Sequence, residues 1–229
     1  PFLTPEHIDG IPPEGFSEFF IDILGHPETC SQGLSDIMRP TAHRLSLEWS
    51  VLQPRENEGY SDQAIALYRN LFKQLKANSI EPFVTIHHFT HPLWFEGRGA
   101  FIHKENCDRF LHFALDMMRI FPEVRYWYTF NEIGAFTLEG LLGDHPSPIR
   151  NFHDAGKTIR NMLRTHCRIY ETAKKENDSL QIGLTHQWLK FYPINNNLLE
   201  KTVCHLAAKV AHVAIYNFFL TGTFTFQVP

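Results

Sequence analysis

The chain has 229 residues, is 43% hydrophobic and 14% aromatic, and carries 21 basic against 25 acidic side chains. That composition supports a packed core and excludes a disordered chain. The slightly negative charge, with no Lys/Arg run, excludes nucleic acid as the expected partner, and no stretch reaches the ~20 apolar residues of a membrane span.

In chain order, residues 1–30 form a segment of uncertain structure with one helix-like stretch, Phe16 to Leu24. The first strand is HRLSLEW, His43 to Trp49, broken by PRENEGYSD. A helix starts at Asp62, with Ala64, Tyr68, Leu71, Phe72 and Leu75 on one face and Asn78 as its stop. The second strand is PFVTIHHF, Pro82 to Phe89, and the helix after it has Asn106 as N-cap and Phe110, Phe113, Met117 and Phe121 as its stripe. The third strand is VRYWYTFN, Val124 to Asn131. A Gly- and Pro-rich loop leads to a helix over about Ala155 to Lys175, with Ile159, Met162, His166, Ile169 and Ala173 inward. The fourth strand is LQIGLTHQW, Leu180 to Trp188, and a last helix covers about Leu198 to Leu220.

Strands alternating with amphipathic helices predict an α/β fold with parallel strands joined by right-handed crossovers, in one domain over residues 1–229. Polar, aromatic and histidine residues crowd the strands' C-terminal ends, where a (β/α) barrel builds its active site. A doubly wound open sheet usually carries a Gly-rich turn after its first strand, whereas Trp49 runs into SVLQPREN. Strand starts lie about 40–55 residues apart, and four units are visible.

The four cysteines, Cys30, Cys107, Cys167 and Cys204, show no CxxC pairing, and the N-terminus PFLTPEHIDG lacks a signal peptide's basic start and apolar run. Free buried thiols and a cytoplasmic location are expected.

Glu132 follows the apolar strand YWYTF and sits beside Asn131. It reads either as part of a capping pair or as a general acid whose carboxyl is desolvated by aromatic walls. His87, His88 and His91 spell H-H-x-x-H, but adjacent strand residues face opposite ways, so His87 and His88 cannot share an ion. One inward His bonded to substrate and a satisfied core His both remain open. Arg44 and Glu48 share a strand face, either as a buried ion pair or with Arg44 orienting an active-site carboxylate. Trp94, Trp127 and Trp188 read as core before they read as sugar platforms.

HRLSLEWSVLQP resembles the strand-two motif of glycoside hydrolase family 1, EPFVTIHHFTHPLWF its strand-three motif, and VRYWYTFNEIGAFTLEGLLGDHPSP its strand-four motif. IRNFHDAGKTIRNMLRTHCRIYE is similar to the helix that follows, and NFFLTGTF to the stretch before strand six. The resemblance covers roughly residues 31–225. It implies a retaining β-glycosidase, β-glucosidase-like, on a (β/α)8 TIM barrel, of which about strands two to five are present. It further implies that Glu132 is the acid/base, that Asn131 holds the sugar's 2-hydroxyl and His88 its 3-hydroxyl, and that Arg44 orients the nucleophile. No metal or cofactor is implied, and the partner is a small β-glycoside or oligosaccharide. Ile133 replaces the family's Pro after the acid/base, and Val51 the Arg of its W-S-R. The nucleophile motif, T-E-N-G, has no match, so the nucleophile is expected beyond Pro229. Without the missing strands, the barrel's open edges are expected to self-associate. A non-catalytic sugar-binding or scaffold protein derived from such a barrel is the alternative.

Overall fold

The computed structural model describes residues 40–143, 147–208 and 212–226. Cys30 and the helix-like stretch from Phe16 to Leu24 lie outside them. Four strands, β1 (Ala42–Ser46), β2 (Glu81–His87), β3 (Tyr126–Asn131) and β4 (Gln181–Thr185), form one sheet in the order β1-β2-β3-β4. All three pairings are parallel. Between them run α1 (Trp49–Leu52), α2 (Asp62–Ala77), α3 (Leu93–Gly97), α4 (Lys104–Ile120), α5 (Ile133–Leu142) and α6 (Phe152–Glu176). After β4 come α7 (Leu198–Ala208) and α8 (Ala214–Thr221). No helix among the described residues is long and apolar enough to cross a membrane.

The long helices follow local signals. Ser61 caps α2 by accepting the Ala64 N–H, and Asp62 places negative charge in the first turn. Asn78 closes α2, its backbone N–H and side-chain amide both reaching the Gln74 carbonyl. The five expected residues of α2, Ala64, Tyr68, Leu71, Phe72 and Leu75, are the buried ones. Asn151 caps α6 through the Asp154 N–H, and the expected inward residues of α6 are all buried.

Two expectations need correction. Asn106 does not cap α4: it is buried, and its amide donates to the carbonyls of Arg98 and Ala100, tying down the turn before the helix. The helix starts at Lys104, with His103 at the cap position. The expected last helix, Leu198 to Leu220, is represented by α7 and α8, and residues 209–211 lie outside the described residues. Between α7 and α8, His212 accepts the Leu189 N–H and stacks on Trp188, ring centroids 5.0 Å apart. The first strand stops at Ser46, and Trp49 opens α1, which puts its ring into the core stacked on Phe113 at 4.7 Å.

The core lies on the helix side of the sheet. Val84, Ile86 and Trp127 are fully buried there, beside Phe72, Phe110, Phe113 and Phe121. The other face carries Arg44 and half-buried Phe83, Tyr126 and Tyr128, with Phe83 stacked on Tyr126 at 4.3 Å. One polar pair sits within the core side: Thr129 hydrogen-bonds the His166 Nδ1 at 2.8 Å, and Phe219 packs edge-on against the imidazole.

Burial pushes the His166 pKa down to about 4 from the ordinary 6.5. The unfolded chain therefore binds a proton that the folded chain resists. Stability is fully present above pH 6.5 and is lost as pH falls from there toward 4, by about 3 kcal/mol at most. Urea unfolding between pH 7 and pH 4 should show this loss, and a smaller one in His166→Gln. Equal slopes in both proteins would remove His166 as the cause.

Candidate active site

The parallel sheet brings the C-terminal ends of all four strands to one edge. There Arg44 and Asn131 are joined by a hydrogen bond, and His88 stands beside them, bonded to Ser46. The Arg44 Nε donates to the Thr85 hydroxyl at 3.0 Å, and its Nη2 donates to the Asn131 carboxamide oxygen at 2.6 Å. The same oxygen accepts the Thr185 hydroxyl at 2.9 Å. Ser46, beside Arg44 on β1, hydrogen-bonds the His88 Nδ1 at 2.8 Å. The guanidinium also stands over the Tyr128 ring, 5.2 Å from its centroid.

Strict alternation would not assemble this set. Thr85 and His88 both serve the Arg44 face, three positions apart. On β3, Tyr128 and Asn131 do the same, while Thr129 bonds His166 and Phe130 packs on Phe110 at 4.8 Å, both on the helix side. The β3–β4 register shifts between Tyr128 and Asn131. That irregularity turns Asn131 onto the face its parity denies it.

Glu132 sits at the N-cap of α5 in the left-handed conformation, φ 44° and ψ 62°. Its N–H donates to the Thr185 carbonyl at 2.9 Å, and its own carbonyl accepts the Phe136 N–H. A non-glycine residue held there is strained and needs its surroundings to impose the geometry. The carboxylate caps no N–H of α5, so the capping alternative fails. Glu132 is only partly buried, so the expected aromatic enclosure is incomplete among the described residues. Phe89, directly after His88, is also left-handed, with φ 72°.

Arg44 and Glu48 do not form a buried pair. Glu48 caps α1, accepting the Ser50 N–H and hydroxyl on one oxygen and the Thr90 hydroxyl on the other. It is a clasp between two loops. His87 is fully buried, and its Nε2 lies 3.1 Å from the His91 Nδ1, while the His91 Nε2 lies 2.7 Å from Glu96. His87 and His88 thus lie on opposite sides, His87 among the core rings and His88 bonded to Ser46. Among the described residues, no group of three metal-ligating side chains could hold an ion. The His88 pKa is lowered by desolvation and then by the Arg44 charge, which favours a neutral imidazole at neutral pH. Trp127 is core and donates to the Val124 carbonyl; Trp94 packs edge-on against Trp49; Trp188 is 64% exposed and is not core.

The glycosyl hydrolase family 1 model matches residues 32–228. The chain belongs to that family. It is 32% identical over 183 residues to a 6-phospho-β-galactosidase of Staphylococcus epidermidis, covering 79% of this chain and 38% of the relative. A 6-phospho-β-galactosidase of Streptococcus equi subsp. zooepidemicus is 33% identical over 188 residues, with 80% and 39% covered. Among solved structures, the β-glycosidase from Pyrococcus horikoshii superposes with a TM-score of 0.77 at 26% identity, over 89% of this chain and 48% of that one. A β-glucosidase from Exiguobacterium marinum gives 0.81 at 25% identity, with 89% and 47% covered. The family fold is a (β/α)8 barrel, and the four parallel strands and their helices are a part of it. The chain spans about two fifths of the curated family 1 relatives it matches.

Sequence reasoning missed Thr85, Ser46 and Thr185 as partners of the site. The first two stand inside the motif strings. Thr185 carries no local signal, since only the β3–β4 register sets it opposite Asn131.

The strain at Glu132 is testable. Glycine adopts its φ and ψ freely, which relieves ~1–2 kcal/mol of left-handed strain and costs ~0.5–1 kcal/mol of extra chain entropy. Glu132→Gly should therefore raise the midpoint of thermal unfolding slightly. A clear drop would mean that the Glu132 side chain stabilises the fold.

Proposed function

We propose that this chain carries the acid/base half of a retaining β-glycosidase site. The observation that carries the reading is the Arg44–Asn131 hydrogen bond of 2.6 Å at the sheet's C-terminal edge, with strained Glu132 next in the chain. In this reading Asn131 and His88 hold the 2- and 3-hydroxyls of the sugar, and Arg44 stands by to orient a nucleophilic carboxylate. Glu132 protonates the leaving oxygen while that second carboxylate attacks the anomeric carbon, then takes a proton from the incoming water. The substrate class is a β-hexoside. The named relatives include 6-phospho-β-galactosidases and β-glucosidases. Cys107, Cys167 and Cys204 are free thiols, which supports a reducing, cytoplasmic setting.

The acid role is tested in the protein expressed from its complete reading frame. Glu132→Gln should cost roughly 10²–10⁴-fold in kcat/KM with poor leaving groups and much less with activated aryl glycosides. Equal losses on both would show that Glu132 is not the acid.

Retention needs two carboxyls about 5–5.5 Å apart. Glu48 is committed to Ser50 and Thr90 and is no candidate for the second. The 229 residues alone should therefore form no covalent adduct with an activated 2-deoxy-2-fluoro β-glycoside. They should also self-associate, because β1 and β4 are edge strands among the described residues and Tyr192, Ile194, Leu198 and Leu199 are exposed. Intact mass showing a stoichiometric adduct on a monomer would overturn both statements.

A further inference from the structure

The Asn131 side chain is almost fully buried, and its carboxamide oxygen receives two donors from two different strands. One is the Arg44 guanidinium, which has N–H groups to give and nothing to accept with. Whatever atom of Asn131 faces it at 2.6 Å must be oxygen, so the orientation of the amide follows from the chemistry of its neighbour. The Thr185 hydroxyl then has an oxygen to donate to at 2.9 Å. Both acceptor positions of that oxygen are filled, and the amide nitrogen with its two hydrogens is left for other partners.

We propose that Thr185 is a positioning residue that, with Arg44, locks the Asn131 carboxamide so that Asn131 meets the sugar only as a hydrogen-bond donor. This rests on the reading of Asn131 as a sugar ligand. Its consequence is a specificity rule. The hydroxyl that faces Asn131 must accept, and its own proton must go to a different group. A substrate with hydrogen at that carbon leaves a buried N–H unpaired, which is a larger penalty than the loss of one contact. Arg44 alone fixes the oxygen from one side. Thr185 holds it from the opposite strand, where the register pairs it with Asn131.

The test compares Thr185→Val, which keeps the shape and deletes the hydroxyl, with Thr185→Ser, which restores it. In the protein from the complete reading frame, kcat/KM is measured for an aryl β-glycoside and its 2-deoxy analogue. Thr185→Val should lower the value for the parent glycoside about tenfold and that for the 2-deoxy analogue much less, so that the preference for the 2-hydroxyl shrinks. Thr185→Ser should recover the preference. Equal losses on both substrates, or no loss, would overturn the proposal. A second measurement is independent of turnover: the NMR order parameter of the Asn131 side-chain amide should fall in Thr185→Val and stay high in wild type and Thr185→Ser. Identical order in all three overturns the lock. Absence of turnover in the wild type, with the amide still ordered only when a hydroxyl is present, would instead count against the glycosidase reading and leave the lock standing.

Discussion

Because all four strands run parallel, every strand ends at the same edge of the sheet. A parallel pair needs a crossover on one side, so helices cover one face while the loops that follow the strands gather at one rim. The candidate site depends on that arrangement. Arg44 comes from β1, Thr85 from β2, Asn131 from β3 and Thr185 from β4, and their hydrogen bonds run across the sheet. No single helix or loop could bring these four residues together.

The packed core and the candidate site are placed on opposite sides of the same strands. The helix side is closely packed with aromatic rings, with Trp49 stacked on Phe113 at 4.7 Å and tilted against Phe110 at 5.5 Å. Those rings supply the burial that holds the fold. The Arg44 side instead carries polar groups and half-buried aromatics. The backbone is strained there: Glu132 and Phe89 both hold left-handed conformations directly after the residues that bond Arg44 and Ser46. Strain of this kind persists only where the surrounding packing imposes it. The Phe136 N–H and the Thr185 carbonyl anchor the backbone of Glu132 on both sides.

The family 1 relatives are more than twice as long as the segment matched here. No residue of α7 is buried, and Ile194 is 93% exposed in the loop before it. Apolar groups so placed are stable only when something covers them. A closed barrel leaves no open edge of the kind that β1 and β4 present among the described residues.

The residues alone determine which face α2 and α6 bury. The 3.6-residue spacing in α2 and α6 names their buried sides, since a helix repeats its environment at that period whatever it packs on. The strand ends and the motif strings likewise single out Arg44, His88, Asn131 and Glu132 as candidates, because those signals are local. Tertiary structure decides the rest. Asn106 resembles a cap, but the turn before it takes its amide. Arg44 and Glu48 resemble a pair, but the strand ends between them. The Arg44–Asn131 and Thr185–Asn131 bonds join residues 87 and 54 positions apart. They depend on sheet register and on one irregularity in β3. A period of two fixes a side chain's face only while alternation holds, and no local pattern shows where it breaks.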